Sequence, residues 1–111
     1  AAKLQSAWKL RLKLLNLDSI YQYEFEHNLY DYYLPNYNIL IEVDGDFYHC
    51  NPSKFKKPIY ETQKLTIKND NKKNNICKNH NITLLRYWEK DIIERPEWVI
   101  QDLKEKLFTL R

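Results

Sequence analysis

Five side chains of this 111-residue chain are candidates for a reactive centre: Asp31, Glu42, Asp44, His49 and Asp70. Glu42 and Asp44 end the run "NILIEVD" at 38–44, where a sheet would favour apolar side chains. Carboxylates converging at a strand end repel one another unless a cation lies between them. Hard oxygen donors without a thiolate cluster favour Mg²⁺ or Mn²⁺. The competing explanation is an edge strand whose acids face water, and the apolar "ILI" before Glu42 argues against it. His49 follows past the turn that Gly45, the only glycine, is expected to allow. A histidine there could be a general base, orient a water, bind the metal or simply make a structural hydrogen bond. Asp70 is the sole acid of a lysine-rich segment over 63–78; the plain alternative is a surface ion pair with Lys73, one turn on.

Positioning these groups falls to elements that the pattern predicts. Leu4, Trp8, Leu12 and Leu15 recur at helical spacing, so 3–16 is an amphipathic helix. Tyr21–Glu26, Tyr30–Leu34 and Ile39–Asp44 are strands, the last two joined by a tight turn at "PNYN" in which Pro35 sets φ and Asn36 takes the left-handed conformation. Residues 47–62 are expected to be loop, 63–78 a polar helix capped by Asn79 or Asn81, and 82–88 a strand. Pro96 opens a last helix with Ile100, Leu103, Leu107 and Leu110 as its apolar stripe. The order αβββαβα predicts an α/β fold, a mixed sheet flanked by helices.

Alternation places Ile39, Ile41 and Val43 on one face, and Leu40, Glu42 and Asp44 on the other. Asp31 shares a face with Tyr33, opposite Tyr30, Tyr32 and Leu34. The turn brings Asp31 beside Glu42 and Asp44, with the register left open.

Charge is polarised. No Lys or Arg lies between Lys13 and Lys54, a stretch holding Asp18, Glu24, Glu26, Asp31, Glu42, Asp44 and Asp46. Eight lysines then fall between Lys54 and Lys78, against Glu61 and Asp70. A metal site beside a phosphate-binding surface would give this layout; so would two solvated faces of opposite bias. Cys50 and Cys77 are no disulfide framework, so a reducing, cytoplasmic setting is expected, and no apolar run is long enough to span a membrane. The chain opens Ala-Ala-Lys and has no Met, as a processed chain or a fragment would.

Asp31, then "EVDG" at 42–45, "FYH" at 47–49, Asp70 on a helix and "LLRYWE" at 84–89 form an ordered set. It resembles the very-short-patch repair endonucleases of the PD-(D/E)XK nuclease superfamily. Closer still is its similarity to the catalytic domain of phage-encoded EDxHD homing endonucleases. The resemblance implies a restriction-endonuclease-like fold and a single nuclease domain over 1–111 of a larger protein, working in the host-cell cytoplasm. It implies a Mg²⁺- or Mn²⁺-dependent endonuclease acting on double-stranded DNA. Asp31 matches the first metal-binding Asp, Glu42 the acid of the (D/E)-x-K element, and the Val43 carbonyl a main-chain metal contact. Asp44 falls where most members have Lys and the repair enzymes have His. His49 matches a His near the nucleophile, and Asp70 the acid that supports it. Phe47 and Tyr48 match an aromatic pair that wedges between base pairs.

Lys54, Lys56, Lys57, Lys68, Lys72 and Lys73 are the expected DNA-backbone contacts. The chain departs from the family in its N-terminal helix, where Gln5 is the nearest candidate for a missing acid. It departs again at the repair enzymes' structural zinc, where Asp46, Asn51 and Ser53 leave Cys50 as the lone ligand type. The motif Lys is replaced by Asp44, so His49 or a second metal ion would have to compensate. A domain this small would need another domain or a dimer to read a long site. The rival expectation is a non-catalytic nucleic-acid-binding module on a decayed nuclease fold.

Overall fold

The computed structural model describes residues 16–109. The helix expected over 3–16, with Gln5, lies outside them apart from Asn16, as does Leu110. Strands β1 (Ile20–Phe25), β2 (Asn28–Leu34) and β3 (Ile39–Asp44) form an antiparallel meander. Helix α1 (Glu61–Asn79) then crosses over to β4 (Thr83–Trp88), which pairs parallel to β3. The sheet order is β1-β2-β3-β4. The short helix α2 (Glu89–Glu94) and helix α3 (Pro96–Thr109) complete the described chain. The mixed sheet flanked by helices agrees with the sequence pattern. Helix α2 was not expected; at six residues it is too short to show a periodic apolar stripe.

Each face of the sheet buries its own cluster. Tyr32, Leu34, Ile39, Ile41, Leu85 and Tyr87 pack with Ile92 of α2 and with Val99, Leu103 and Leu107 of α3. Leu40 packs with Tyr30, Ile82 and Cys77 of α1. Ile39 and Ile41 thus oppose Leu40, as alternation requires. Tyr30 does not follow the rule: it lies on the α1 face, opposite Tyr32 and Leu34. β1 changes face at the same level. Tyr21 meets Tyr32 on one side, whereas Tyr23 stacks on Tyr33 and Phe25 meets Tyr30 on the other. Between Tyr21 and Tyr23, Gln22 has φ 51°, a local irregularity of the kind that re-aims a strand.

Local chemistry sets the ends of α1. Buried Gln63 accepts the N–H groups of Ile59 and Tyr60 and donates to the Phe47 carbonyl, so the helix starts at Glu61 and the preceding loop is tied to it. At its other end Asn81 takes φ 56°, Asn81 N–H reaches Lys78 O and Ile82 N–H reaches Cys77 O. That is the Schellman arrangement, with Asn rather than Gly in the left-handed position. Asn81, not Asn79, is the capping residue. In the β2–β3 turn the positive φ falls on Asn38 (55°), not Asn36, and Tyr33 Oη donates to its side chain. Gly45 does not have a positive φ; in the loop after β3 that conformation belongs to Cys50, at 53°.

Candidate active site

The β2–β3 ladder pairs Leu34 with Ile39, Tyr33 with Leu40 and Tyr32 with Ile41, and would next join Asp31 to Glu42. It stops there, and side chains take over. Asp31 N–H donates to Glu42 Oε1 at 3.0 Å, and Val43 N–H donates to Asp31 Oδ2 at 2.6 Å. Each carboxylate stands where a strand carbonyl would have been, which locks both across the strand pair. Burial raises the Asp31 and Glu42 carboxyls above their ordinary values, and the charge of Asp31 raises Glu42 further. Lys73 opposes both rises: its ammonium lies 3.2 Å from Glu42 Oε2 and also donates to the Leu29 carbonyl at 2.7 Å.

Asp44 belongs to a second group. Its carboxylate lies 2.9 Å from Arg86 Nη1 and 3.6 Å from His49 Nδ1. His49 Nδ1 is hydrogen-bonded to Asp70 Oδ2 at 2.5 Å, and Arg86 Nη1 lies 3.4 Å from Asp70 Oδ1. Burial raises the Asp44 carboxyl, against the pull of Arg86 and His49. Burial alone would lower His49; the bond to Asp70 and the charges of Asp44 and Asp70 outweigh it and hold the imidazole above its ordinary value. The surface pair of Asp70 with Lys73 is not formed: Asp70 pairs with His49 and Arg86, and Lys73 with Glu42.

A cleft of about 340 Å³ opens over these groups, lined by Asn28, Glu42, His49, Asp70, Lys72 and Lys73, among others. The expected residues Asp31, Glu42 and Val43 therefore meet in one cluster, and Asp44, His49 and Asp70 in another. Two cations bind them. Arg86, inside "LLRYWE", carries no role in the sequence pattern, and Lys73 is there an expected DNA-backbone contact rather than a partner of Glu42. The signal available was weak: Arg86 is the one charged residue of β4.

Phe47 and Tyr48 are 39% and 58% exposed, and Phe47 makes ring contacts with Tyr48, Phe55 and Tyr60. Lys54 is paired with buried Asp46, which also accepts from Asn51 and from Lys90 N–H. The positions matching the repair enzymes' zinc site thus carry a hydrogen-bonded network. Lys56, Lys57, Lys68 and Lys72 are exposed and pair with no acid among the described residues. No described helix is long and apolar enough to cross a membrane.

The donor chemistry of Asp31 and Glu42 fits a hard divalent cation: a half-buried and a buried carboxylate, held side by side, whose mutual repulsion such an ion would relieve. Asp44, His49 and Asp70 also bring one ligand atom each within 4.8 Å of one another. No family model, curated protein or solved structure matches the chain.

Proposed function

We propose that the chain is a metal-dependent endonuclease domain that hydrolyses phosphodiester bonds in double-stranded DNA, of the kind its motifs resemble. The observation that carries this reading is the reciprocal lock of Asp31 and Glu42 across β2 and β3, beside a histidine backed by an aspartate. Asp31, Glu42 and the Val43 carbonyl would hold Mg²⁺ or Mn²⁺, which when bound supplies charge neutralisation at the scissile phosphate and a more acidic water. His49, its Nδ1 committed to Asp70, accepts a proton or orients the attacking water through Nε2. Lys73 supplies the cation that the motif lacks at Asp44: it neutralises Glu42 from α1 rather than from β3. Lys56, Lys57, Lys68 and Lys72 hold the phosphate backbone, a contact weakened by salt. Phe47 and Tyr48 stand exposed to enter a base step.

The test is nicking or linearisation of supercoiled plasmid by the purified chain in Mg²⁺, Mn²⁺ or EDTA. Divalent-dependent cleavage lost in Asp31→Asn supports the reading. DNA binding without cleavage under every metal would replace it with the non-catalytic binding module, to which the same lysines and exposed rings also belong.

A further inference from the structure

Arg86 stands on β4 in register with Glu42, and its side chain, 20% exposed, reaches toward α1. Its guanidinium makes more than one commitment. Nη1 lies 2.9 Å from Asp44 Oδ1 and 3.4 Å from Asp70 Oδ1, Nη2 donates to the Asp70 carbonyl at 3.4 Å, and Nε donates to Asn74 Oδ1 at 2.9 Å. The same two carboxylates flank His49 Nδ1, which lies 3.6 Å from Asp44 Oδ1 and is hydrogen-bonded to Asp70 Oδ2. The four groups close a ring: each carboxylate meets both the guanidinium and the imidazole.

We propose that Arg86 is a positioning residue of this site, which cross-braces Asp44 and Asp70 so that His49 is held with Nδ1 committed to Asp70 and Nε2 left for the substrate side. The inference rests on the nuclease reading above for its catalytic consequence, though not for the brace itself.

Four physical points carry it. Asp44 comes from β3 and Asp70 from α1, so nothing in the local chain fixes their separation, and two like charges facing one histidine repel. A planar guanidinium with several fixed donors can bind both carboxylates and the α1 backbone at once; a lysine ammonium, a point charge on a flexible stem, cannot reproduce that span. Arg86 Nη1 also lies against both carboxylates of the Asp44–His49–Asp70 group, so the positive charge that a second metal ion would bring is already supplied there. His49 Nε2 has no partner among the described residues, and His49 lines the cleft.

The experiment compares the intact chain with Arg86→Met, which removes charge and fork, and Arg86→Lys, which keeps charge alone. Thermal melting establishes that each variant folds; if Arg86→Met melts below the assay temperature, Arg86→Lys carries the comparison. The ring nitrogens of His49, read by long-range ¹H–¹⁵N correlation at a pH where the ring is neutral, are expected to show one tautomer in the parent, protonated at Nδ1, and mixed tautomers in the variants. Single-turnover cleavage in Mg²⁺ is expected to fall about 10-fold or more in Arg86→Met while DNA affinity in EDTA stays within about twofold. Guanidinium ion at sub-denaturing concentration is expected to restore part of that rate, and sodium at equal ionic strength to restore none. A folded variant with unchanged His49 ring-nitrogen shifts overturns the brace, as does one that cleaves at the parent rate. If the parent itself fails to cleave DNA, the nuclease reading fails, and the ring-nitrogen spectra still decide the role of Arg86.

Discussion

Lys73 Nζ lies 3.2 Å from Glu42 Oε2, joining the fourth turn of α1 to the third-from-last residue of β3. Both side chains are largely buried, and the ammonium also caps the Leu29 carbonyl and lies 5.0 Å from the Tyr30 ring centroid. A buried carboxylate is costly unless paired, so the helix is tied to the sheet at the point where the strand ladder gives way to side chains.

Removing that cation is therefore expected to cost fold as well as function. Lys73→Met should lower stability by about 3 kcal/mol, because it leaves Glu42 buried without its partner. Glu42→Gln with Lys73→Met should lose less than the sum of the single changes. Urea unfolding of the four proteins measures the coupling, and strict additivity would show that the pair is not energetically linked.

Divalent cation should bind to the Asp31–Glu42 pair and stabilise the fold. Mg²⁺ is expected to raise the melting temperature of the parent, and less so in Asp31→Asn or Glu42→Gln. The same variants should lose Mg²⁺-dependent cleavage while still binding DNA in EDTA. Because burial raises both carboxyls in the folded state, more of them are protonated at low pH, where the metal effect should shrink. Equal Mg²⁺ shifts in the parent and in both variants would place the ion elsewhere.

His49 holds its proton more tightly when folded than its ordinary value of 6.5 implies. Its contribution to stability is thus complete below about pH 6.5 and is lost as pH rises through the higher folded value. Chemical denaturation of the parent and His49→Ala from pH 5 to 9 should show a gap that narrows over that rise. As a base, His49 should also give a cleavage rate that climbs through the same window, and His49→Ala or Asp70→Asn should lower kcat by ~10²-fold with affinity little changed. Near-normal turnover in His49→Ala would leave the residue a structural one.

Phe47 and Tyr48 can be tested apart from the core because both rings are exposed. Replacing both by Ala should move the melting temperature little, although Phe47 loses its ring contacts with Phe55 and Tyr60. A wedge into a base step should show as weaker DNA binding and loss of bending, read by energy transfer between labelled DNA ends. A folded double variant that bends DNA as the parent does would remove the wedge.

Local periodicity and turn chemistry are enough to place the strands, the long helix and the acids they carry. The limits of β3 and the opening of the last helix at Pro96 were legible in that way. So was the approach of Asp31 to Glu42, since a tight turn makes consecutive strands antiparallel neighbours. The partnering of the charges, by contrast, follows from long-range packing. Asp44 and Glu42 share a strand face yet serve different clusters, because Arg86 arrives from β4 and Lys73 from α1. Tyr30 changed faces, because the irregularity at Gln22 opposite Asp31 breaks the alternation that a pattern must assume. Spacing along a chain predicts which neighbours share a face; it carries no information on which distant cation is packed against it.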